Sequence, residues 1–135
     1  VNLPNFGTVF LSIDDDNKNS IINIAIKLFE LKFNLIATKG TAKFLQNKNI
    51  QVQEINKVKE GSPHVVDSLI SNKIQLVINT TKTQGSIRDS YGIRRTSLMY
   101  NIPYYTTIAG ARVAVDAIRV LKNNQLKVNN LQSIH

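Results

Sequence analysis

Leu35-Ile36-Ala37-Thr38-Lys39-Gly40-Thr41 joins a short apolar run, typical of a buried strand, to a Thr-x-Gly-Thr turn. A helical pattern over residues 42–45 follows at once. This order brings two hydroxyl groups, a glycine backbone and unpaired amide N–H groups to the start of a helix. Backbone donors and the positive end of the helix dipole can hold an anion such as a phosphate there. The stretch therefore predicts a strand–turn–helix unit with an anion site at the turn.

Strand and helix patterns alternate along the rest of the chain. The predicted strands cover residues 9–13, 35–37, 50–55, 74–78 and 104–107. The predicted helices cover residues 21–33, 41–47, 63–71, 89–100 and 111–121. A polar loop is predicted at residues 82–90. This alternation predicts an α/β domain of three layers, in which helices cover both faces of a parallel sheet of about five strands. We assign this domain to residues 1–122, followed by a polar C-terminal tail at 123–135.

Two helices have apolar faces that predict what they bury. The first helix carries one apolar stripe and further apolar residues beside it: Ile22, Ile26, Phe29 and Phe33, then Ile21, Ala25 and Leu28. The helix over residues 63–71 is predicted to bury three residues: Val66, Leu69 and Ile70.

The composition is that of a globular domain with a core. Of the 135 residues, 42% are hydrophobic and 19% are charged. No apolar run has the length of a membrane span, and the N-terminal residues lack the pattern of a signal peptide. The absence of cysteine excludes disulfides and thiolate metal sites. We expect a cytoplasmic protein without a membrane partner.

The formal net charge of +8, from 17 Lys and Arg against 9 Asp and Glu, raises the question of nucleic-acid binding. The basic residues are scattered over separate predicted helices, and only Arg94 and Arg95 are adjacent. No aromatic-rich strand has an RNA-binding pattern. We therefore favour a solvated surface and no nucleic-acid partner, with a basic RNA-binding module as the weaker alternative.

Polar residues stand at the ends of the predicted strands, and in a parallel sheet these ends meet at one edge. The candidates for a phosphate are Lys18, Thr38, Gly40, Thr41 and Lys57, and the candidates for a ribose or base are Asn79, Thr80 and Thr81. Together they predict a phosphate-bearing small ligand, a nucleotide by preference. Each group also has a structural explanation: threonine caps helices, glycine provides turns, and nearby aspartates shield a lysine.

Catalytic and metal-binding groups are not evident. Asp14, Asp15 and Asp16 are explained more simply by helix capping than by acid–base or metal chemistry. His64 opens a predicted helix without an evident carboxylate partner, and Ser62 lacks a recognisable base. No residue spacing is typical of a metal site. We predict no catalytic residue and no metal.

Five motifs, taken in order, resemble one family over roughly residues 6–121. They are Phe10-Leu11-Ser12-Ile13 with Lys18, Ala37-Thr38-x-Gly-Thr41, Asn56-Lys57-Val58-x-Glu60-Gly61-x-Pro63-His64, Ile78-Asn79-Thr80-Thr81 and Ile93-Arg94-Arg95. The chain resembles the C-terminal regulatory domain of the carbamoyl-phosphate synthase large subunit, which has the methylglyoxal-synthase-like fold. The resemblance implies an allosteric module that binds UMP as inhibitor and IMP as activator, with ornithine at a domain boundary.

The resemblance also implies roles and partners. Lys18, Thr38, Thr41 and Lys57 would hold the phosphate, and residues 79–81 would meet the ribose and base. Tyr104 and Thr106 would lie on the ornithine side. The parent enzyme is a ligase that makes carbamoyl phosphate from glutamine, bicarbonate and ATP for pyrimidine and arginine synthesis. This segment would be inert alone, without a cofactor, and its partners would be the rest of the large subunit and the glutaminase small subunit.

Three departures from related sequences bear on these expectations. Methylglyoxal synthases have an aspartate where this chain has Ser62 and a histidine near Asp14, which argues against a stand-alone lyase. The ornithine motif Tyr-Asp-Thr-Thr is Tyr104-Tyr105-Thr106-Thr107 here, so the ornithine response is doubtful. Lys82-Thr83-Gln84 replaces small and basic residues. A vestigial structural cap remains an alternative. A purine-biosynthesis cyclohydrolase would need a Lys-Thr-Leu-His-Pro segment, which is absent.

Overall fold

The computed structural model describes residues 3–55, 65–80 and 84–133, with side chains at 3–55, 65–80 and 92–125. Strands and helices alternate in the order β1 (Thr8–Ser12), α1 (Lys18–Glu30), β2 (Asn34–Ala37), α2 (Lys39–Asn47), β3 (Gln53–Glu54), α3 (Val65–Ile70), β4 (Leu76–Asn79), α4 (Gln84–Met99), β5 (Tyr104–Tyr105) and α5 (Ile108–Ser133). A single 3-10 turn, Asp15–Asn17, precedes α1.

The five strands form one sheet in the order β3-β2-β1-β4-β5, and every pairing in it is parallel. β1 lies at the centre, where Leu11 pairs with Ala37 of β2 and Ser12 pairs with Asn79 of β4. The predicted α/β architecture with a parallel sheet of about five strands is confirmed. Because all strands run the same way, their carboxyl ends meet at one edge.

Apolar side chains cover both faces of the sheet, as expected for parallel strands with helices on each side. Alternate residues of β1 point to opposite faces, so Val9 and Leu11 pack with α1, α2 and α5 while Phe10 packs with α3 and α4. β4 divides in the same way, with Ile78 on the first face and Val77 on the second. The central strands are therefore buried on both sides.

The prediction for α1 is confirmed in part: Phe33, just after the helix, is buried, and so are Ile21, Ala25 and Leu28, which were predicted beside the main stripe. The buried residues follow the i, i+3, i+4, i+7 pattern: Ile21, Ile24, Ala25 and Leu28. Phe29, which we predicted to be buried, is 50% exposed, and Ile26 is also exposed. On α3, Leu69 is buried as predicted, but Ile70 is half-exposed and Val65 is buried in its place.

Several helix boundaries also differ from the prediction. α4 begins at Gln84 rather than 89, so most of the predicted polar loop at 82–90 is helical. α5 continues to Ser133, well past the predicted end at 121. Residues 123–133 contain neither glycine nor proline, so polarity alone does not end the helix there. The division of the chain at residue 122 stays a prediction, and the α5 backbone crosses it without a break.

Across the described residues, the helices are too short or too polar to span a lipid bilayer.

Candidate nucleotide-binding site

The carboxyl end of β1 is held between the ends of its two neighbours. The Thr38 backbone N–H, just after β2, donates to the Leu11 carbonyl oxygen at 3.2 Å. The Thr80 backbone N–H, just after β4, donates to the Ser12 carbonyl oxygen at 3.0 Å. The sheet edge therefore brings the Thr-x-Gly-Thr segment and the end of β4 to opposite sides of one strand.

Thr41 holds the first turn of α2 against β1. Its hydroxyl oxygen accepts a hydrogen bond of 3.0 Å from the Ile13 backbone N–H, and its side chain is buried. Thr38 occupies the N-cap position with extended backbone, but its hydroxyl makes no cap hydrogen bond and lies 3.4 Å from the Thr41 hydroxyl. The capping explanation thus holds for the position of Thr38 but not for a cap hydrogen bond from its side chain, and the two hydroxyls form one buried pair.

Gly40 is the second residue of α2, so the interpretation of this glycine as a turn former is wrong. Its backbone is helical, and its surface is exposed. A Cβ atom placed on Gly40 would lie 3.7 Å from the Lys18 Nζ atom. The fold therefore brings the predicted lysine against the first turn of α2, where backbone N–H groups point outward.

Lys18 is the first residue of α1, and its side chain is only 17% exposed. A cation there meets the positive ends of two helices, its own and that of α2, which is unfavourable without a nearby anion. The Lys18 ammonium donates to the Asp15 carboxylate, whose side chain is 94% exposed. Lys18 is therefore a largely covered cation in a setting suited to a negatively charged group.

Asp14 joins the end of β4 to the start of α1, a role that the sequence did not reveal. Its carboxylate accepts hydrogen bonds from the Thr80 hydroxyl and, at 2.7 Å, from the Asn17 amide. Its backbone N–H donates to the Thr80 hydroxyl oxygen at 3.2 Å. The predicted capping role is wrong in detail, because the side chain makes no hydrogen bond to the helix backbone. Thr80 is buried, so its hydroxyl orders the loop around the site.

Asn79 and Tyr104 come from two different predicted sites, and the structure brings them together. The Asn79 amide donates to the Tyr104 hydroxyl oxygen at 2.9 Å, and Asn79 is buried. Burial raises the pKa of the Tyr104 hydroxyl, while the Asn79 hydrogen bond and the positive charge of Arg94 oppose that rise. This pairing depends on β5 lying beside β4, which no local pattern specifies.

The remaining predicted residues are placed as follows. Thr106 is exposed just after β5. Lys57 and Thr81, together with Ser62 and His64, lie outside the described residues. Within the described ranges, no cluster of three or more His, Cys, Asp or Glu side chains is arranged to hold a metal ion.

Two open surface clefts, of about 360 and 520 Å³, lie along β2 and β3 and share a lining of Thr8, Ile36, Gln53 and Glu54. Of the predicted site residues that the structure describes, none lines either cleft. The sheet edge is the better candidate for the anion site, because an anion is held by backbone donors and a cation rather than by a deep cavity.

Residues 20–106 match the family model of the MGS-like domain. The chain belongs to the MGS-like domain family. A methylglyoxal synthase from Elizabethkingia anophelis NUHP1 has a similar structure, with a TM-score of 0.65, and the match covers 84% of this chain and 79% of that one. At 20% identity, this similarity establishes the fold of the MGS-like domain.

The MGS-like domain is also similar to carbamoyl phosphate synthase large chains along almost its whole length. It is 46% identical over 132 residues to the large chain of Myxococcus xanthus and 47% identical over 133 residues to that of Rhizobium meliloti. These matches cover 98% of this chain but only 12% and 11% of those proteins. A large chain, C-terminal section, from Methanopyrus kandleri is 44% identical over 134 residues, which is 25% of its length.

Proposed function

We propose that this chain is the nucleotide-binding regulatory domain of a carbamoyl phosphate synthase, with UMP and IMP as its ligands. Identity of 41–47% to large chains along 98% of the sequence supports the choice of parent enzyme. The observation that carries the ligand class is the covered Lys18 ammonium beside Gly40, at the N-terminal turn of α2. A nucleotide phosphate is the anion that this arrangement suits best.

In the proposed complex, Lys18 and the backbone of Gly40 bind the phosphate, together with Thr38, Thr41 and Lys57. The Thr41 hydroxyl oxygen already accepts a hydrogen bond from the Ile13 N–H, so the main contribution of Thr41 is to orient the first turn of α2. The ribose and base lie toward Asn79, Thr80 and Thr81. The Lys18 charge and the α2 backbone donors are thus assigned to the phosphate, and the Asn79 amide and the threonine hydroxyls to the ribose and base.

Regulation is proposed to act on the parent ligase, which joins glutamine nitrogen, bicarbonate and ATP phosphate into carbamoyl phosphate in the cytoplasm. The domain itself is proposed to be non-catalytic and to need no cofactor. Its partners are the rest of the large subunit and the glutaminase small subunit. Tyr104 and Thr106 face an ornithine region whose response is doubtful because Tyr105 replaces the expected carboxylate. A bound effector shifts the parent between two states, with a coupling of about 1–3 kcal/mol.

Calorimetric titration of the purified 135-residue chain with UMP and with IMP tests the proposal. We expect saturable binding that Lys18→Ala weakens at least about tenfold, because a cation is lost from the phosphate site. Lys43→Ala is the matched control, since Lys43 is an exposed lysine of α2 that lies beyond the N-terminal turn proposed to bind the phosphate. Absence of heat with both nucleotides, from protein shown to be folded, would identify a structural cap without an effector site.

Two further assays separate the proposal from its alternatives. In the full-length synthase, UMP and IMP should change the rate of carbamoyl phosphate formation, and Lys18→Ala should remove that response while the basal rate persists. The isolated chain should not convert dihydroxyacetone phosphate to methylglyoxal and phosphate. Measurable turnover would favour the lyase alternative.

A further inference from the structure

The Lys18 ammonium has protein on one side and a carboxylate on the other. The first turn of α2, at Gly40, lies against it, and Asp15 forms an ion pair with it. The two side chains differ sharply in exposure, at 17% for Lys18 and 94% for Asp15. The cation is therefore fixed in the fold, whereas its carboxylate partner lies almost wholly in solvent.

A carboxylate and a phosphate are acceptors of the same kind for an ammonium group, which offers three donors and no acceptor. We propose that Asp15 is an internal competitor for the phosphate at Lys18, and that an incoming anion has to displace its carboxylate. This makes Asp15 a residue that sets the affinity of the site. The inference rests on the proposed function, because it concerns the same phosphate site.

The neighbouring aspartates do not share this role. The Asp14 carboxylate accepts hydrogen bonds from Thr80 and Asn17 and so belongs to the framework of the site. Asp16 is exposed and, within the described residues, forms no ion pair. Asp15 alone of the three contacts Lys18, three residues ahead of it in the chain.

Displacement of Asp15 is easy because the pair is exposed on the carboxylate side. Exposed ion pairs are weak, so loss of the Asp15 carboxylate should change the binding constant of the anion at Lys18 by about two- to fivefold. The displaced carboxylate stays close to the bound anion and continues to repel it. Both effects weaken at high salt, since charges exposed to solvent are screened.

The test compares Asp15→Asn with Asp16→Asn in the 135-residue chain, by titration with UMP and IMP at low salt. Both variants remove one negative charge from the same short turn, but only the first removes the carboxylate that contacts Lys18. We expect Asp15→Asn to bind about two- to fivefold more tightly than the unaltered chain. The gain in affinity of Asp16→Asn should be less than half of the gain of Asp15→Asn. Equal gains in the two variants, or no gain in Asp15→Asn, would overturn the inference.

A measurement without ligand keeps this result separate from the proposed function. The ¹⁵N resonance of the Lys18 ammonium should move in Asp15→Asn and stay unchanged in Asp16→Asn. If the unaltered chain binds UMP and IMP while Asp15→Asn binds no better, only the competition is refuted. If none of the three proteins binds a nucleotide, the proposed function fails and the competition fails with it.

Discussion

The Asn79 side-chain amide and the Tyr104 hydroxyl are joined by a hydrogen bond of 2.9 Å between the adjacent strands β4 and β5. Asn79 belongs to the predicted ribose and base side of the nucleotide site, and Tyr104 belongs to the predicted ornithine side. One hydrogen bond therefore connects the two regions in which the family resemblance places different effectors. The strength of this hydrogen bond and the protonation state of the Tyr104 hydroxyl can both be measured.

Tyr104→Phe removes the acceptor of this hydrogen bond and keeps the aromatic ring. We expect the free energy of unfolding to fall by about 1–3 kcal/mol, because the buried Asn79 amide loses this acceptor. Chemical denaturation of the isolated chain measures this change. Tyr105→Phe is the control, because it removes the hydroxyl of the other residue of β5. A loss of equal size in both variants would contradict a specific role for the Asn79–Tyr104 contact.

The pH dependence of stability should carry a signature of Tyr104. Burial raises its pKa above the ordinary value of 10.0, so the folded state holds the hydroxyl proton more tightly than the unfolded chain does. Its contribution to stability is fully present below about pH 10 and is lost as the pH rises through the higher folded value. Tyrosinate absorbance should show one component that titrates above pH 10. That component should disappear in Tyr104→Phe, and its persistence would assign it to another tyrosine.

Thr41→Val should weaken the junction between α2 and β1. Valine has nearly the same shape, but it leaves the Ile13 N–H without its hydroxyl acceptor in a buried position. An unsatisfied buried donor costs about 1–3 kcal/mol, which thermal or chemical unfolding would detect. Thr106→Val, at an exposed position, should change stability by less than about 0.5 kcal/mol. Comparable losses in the two variants would mean that the Thr41 hydrogen bond adds little.

Gly40→Ala should separate stability from ligand binding. Gly40 lies in a helix, and its new Cβ would meet Lys18 Nζ at an ordinary contact distance of 3.7 Å, so the fold accommodates the change. Alanine should raise stability by up to about 1 kcal/mol, since it favours helix more than glycine does. The added methyl group should nevertheless obstruct a phosphate that approaches the backbone, and UMP affinity should fall. Unchanged affinity would place the phosphate away from Gly40.

The sequence predicted those parts of the fold that depend on local pattern. The apolar run before Thr38 is a strand, and the helical pattern after it is α2, because hydrophobic periodicity and helix-start chemistry act over a few residues. The convergence of Lys18 on Gly40 followed from the rule that parallel strand ends meet at one edge. The same rule could not say which side chains would touch.

The errors have physical causes of two kinds. The polar composition near Gln84 and beyond residue 121 favours a loop, yet both segments are helical. Beyond residue 121 the lack of glycine and proline explains the helix, whereas α4 is helical despite Gly85 and Gly92. On α1 the buried face runs through Ile21, Ala25 and Leu28, which were predicted beside the main stripe, whereas Phe29 of the main stripe lies outside the i, i+3, i+4 pattern and is half-exposed. Contacts such as Asn79 with Tyr104 depend on the order of strands in the sheet, which alternation alone leaves open.

Helix α5 has mechanical consequences for any movement at this edge of the sheet. It begins three residues after β5, where the Thr107 hydroxyl accepts a hydrogen bond from the Gly110 backbone N–H. Its 26 residues rise by about 39 Å, whereas the longest strand in the described part of the chain has five residues. A tilt of about 5° at its base displaces its far end by about 3 Å, calculated from that length. Because Ala111, Val115 and Ile118 pack in the core with α1, such a tilt would have to shift α1 together with α5, and the amplified displacement would appear at the far end of α5.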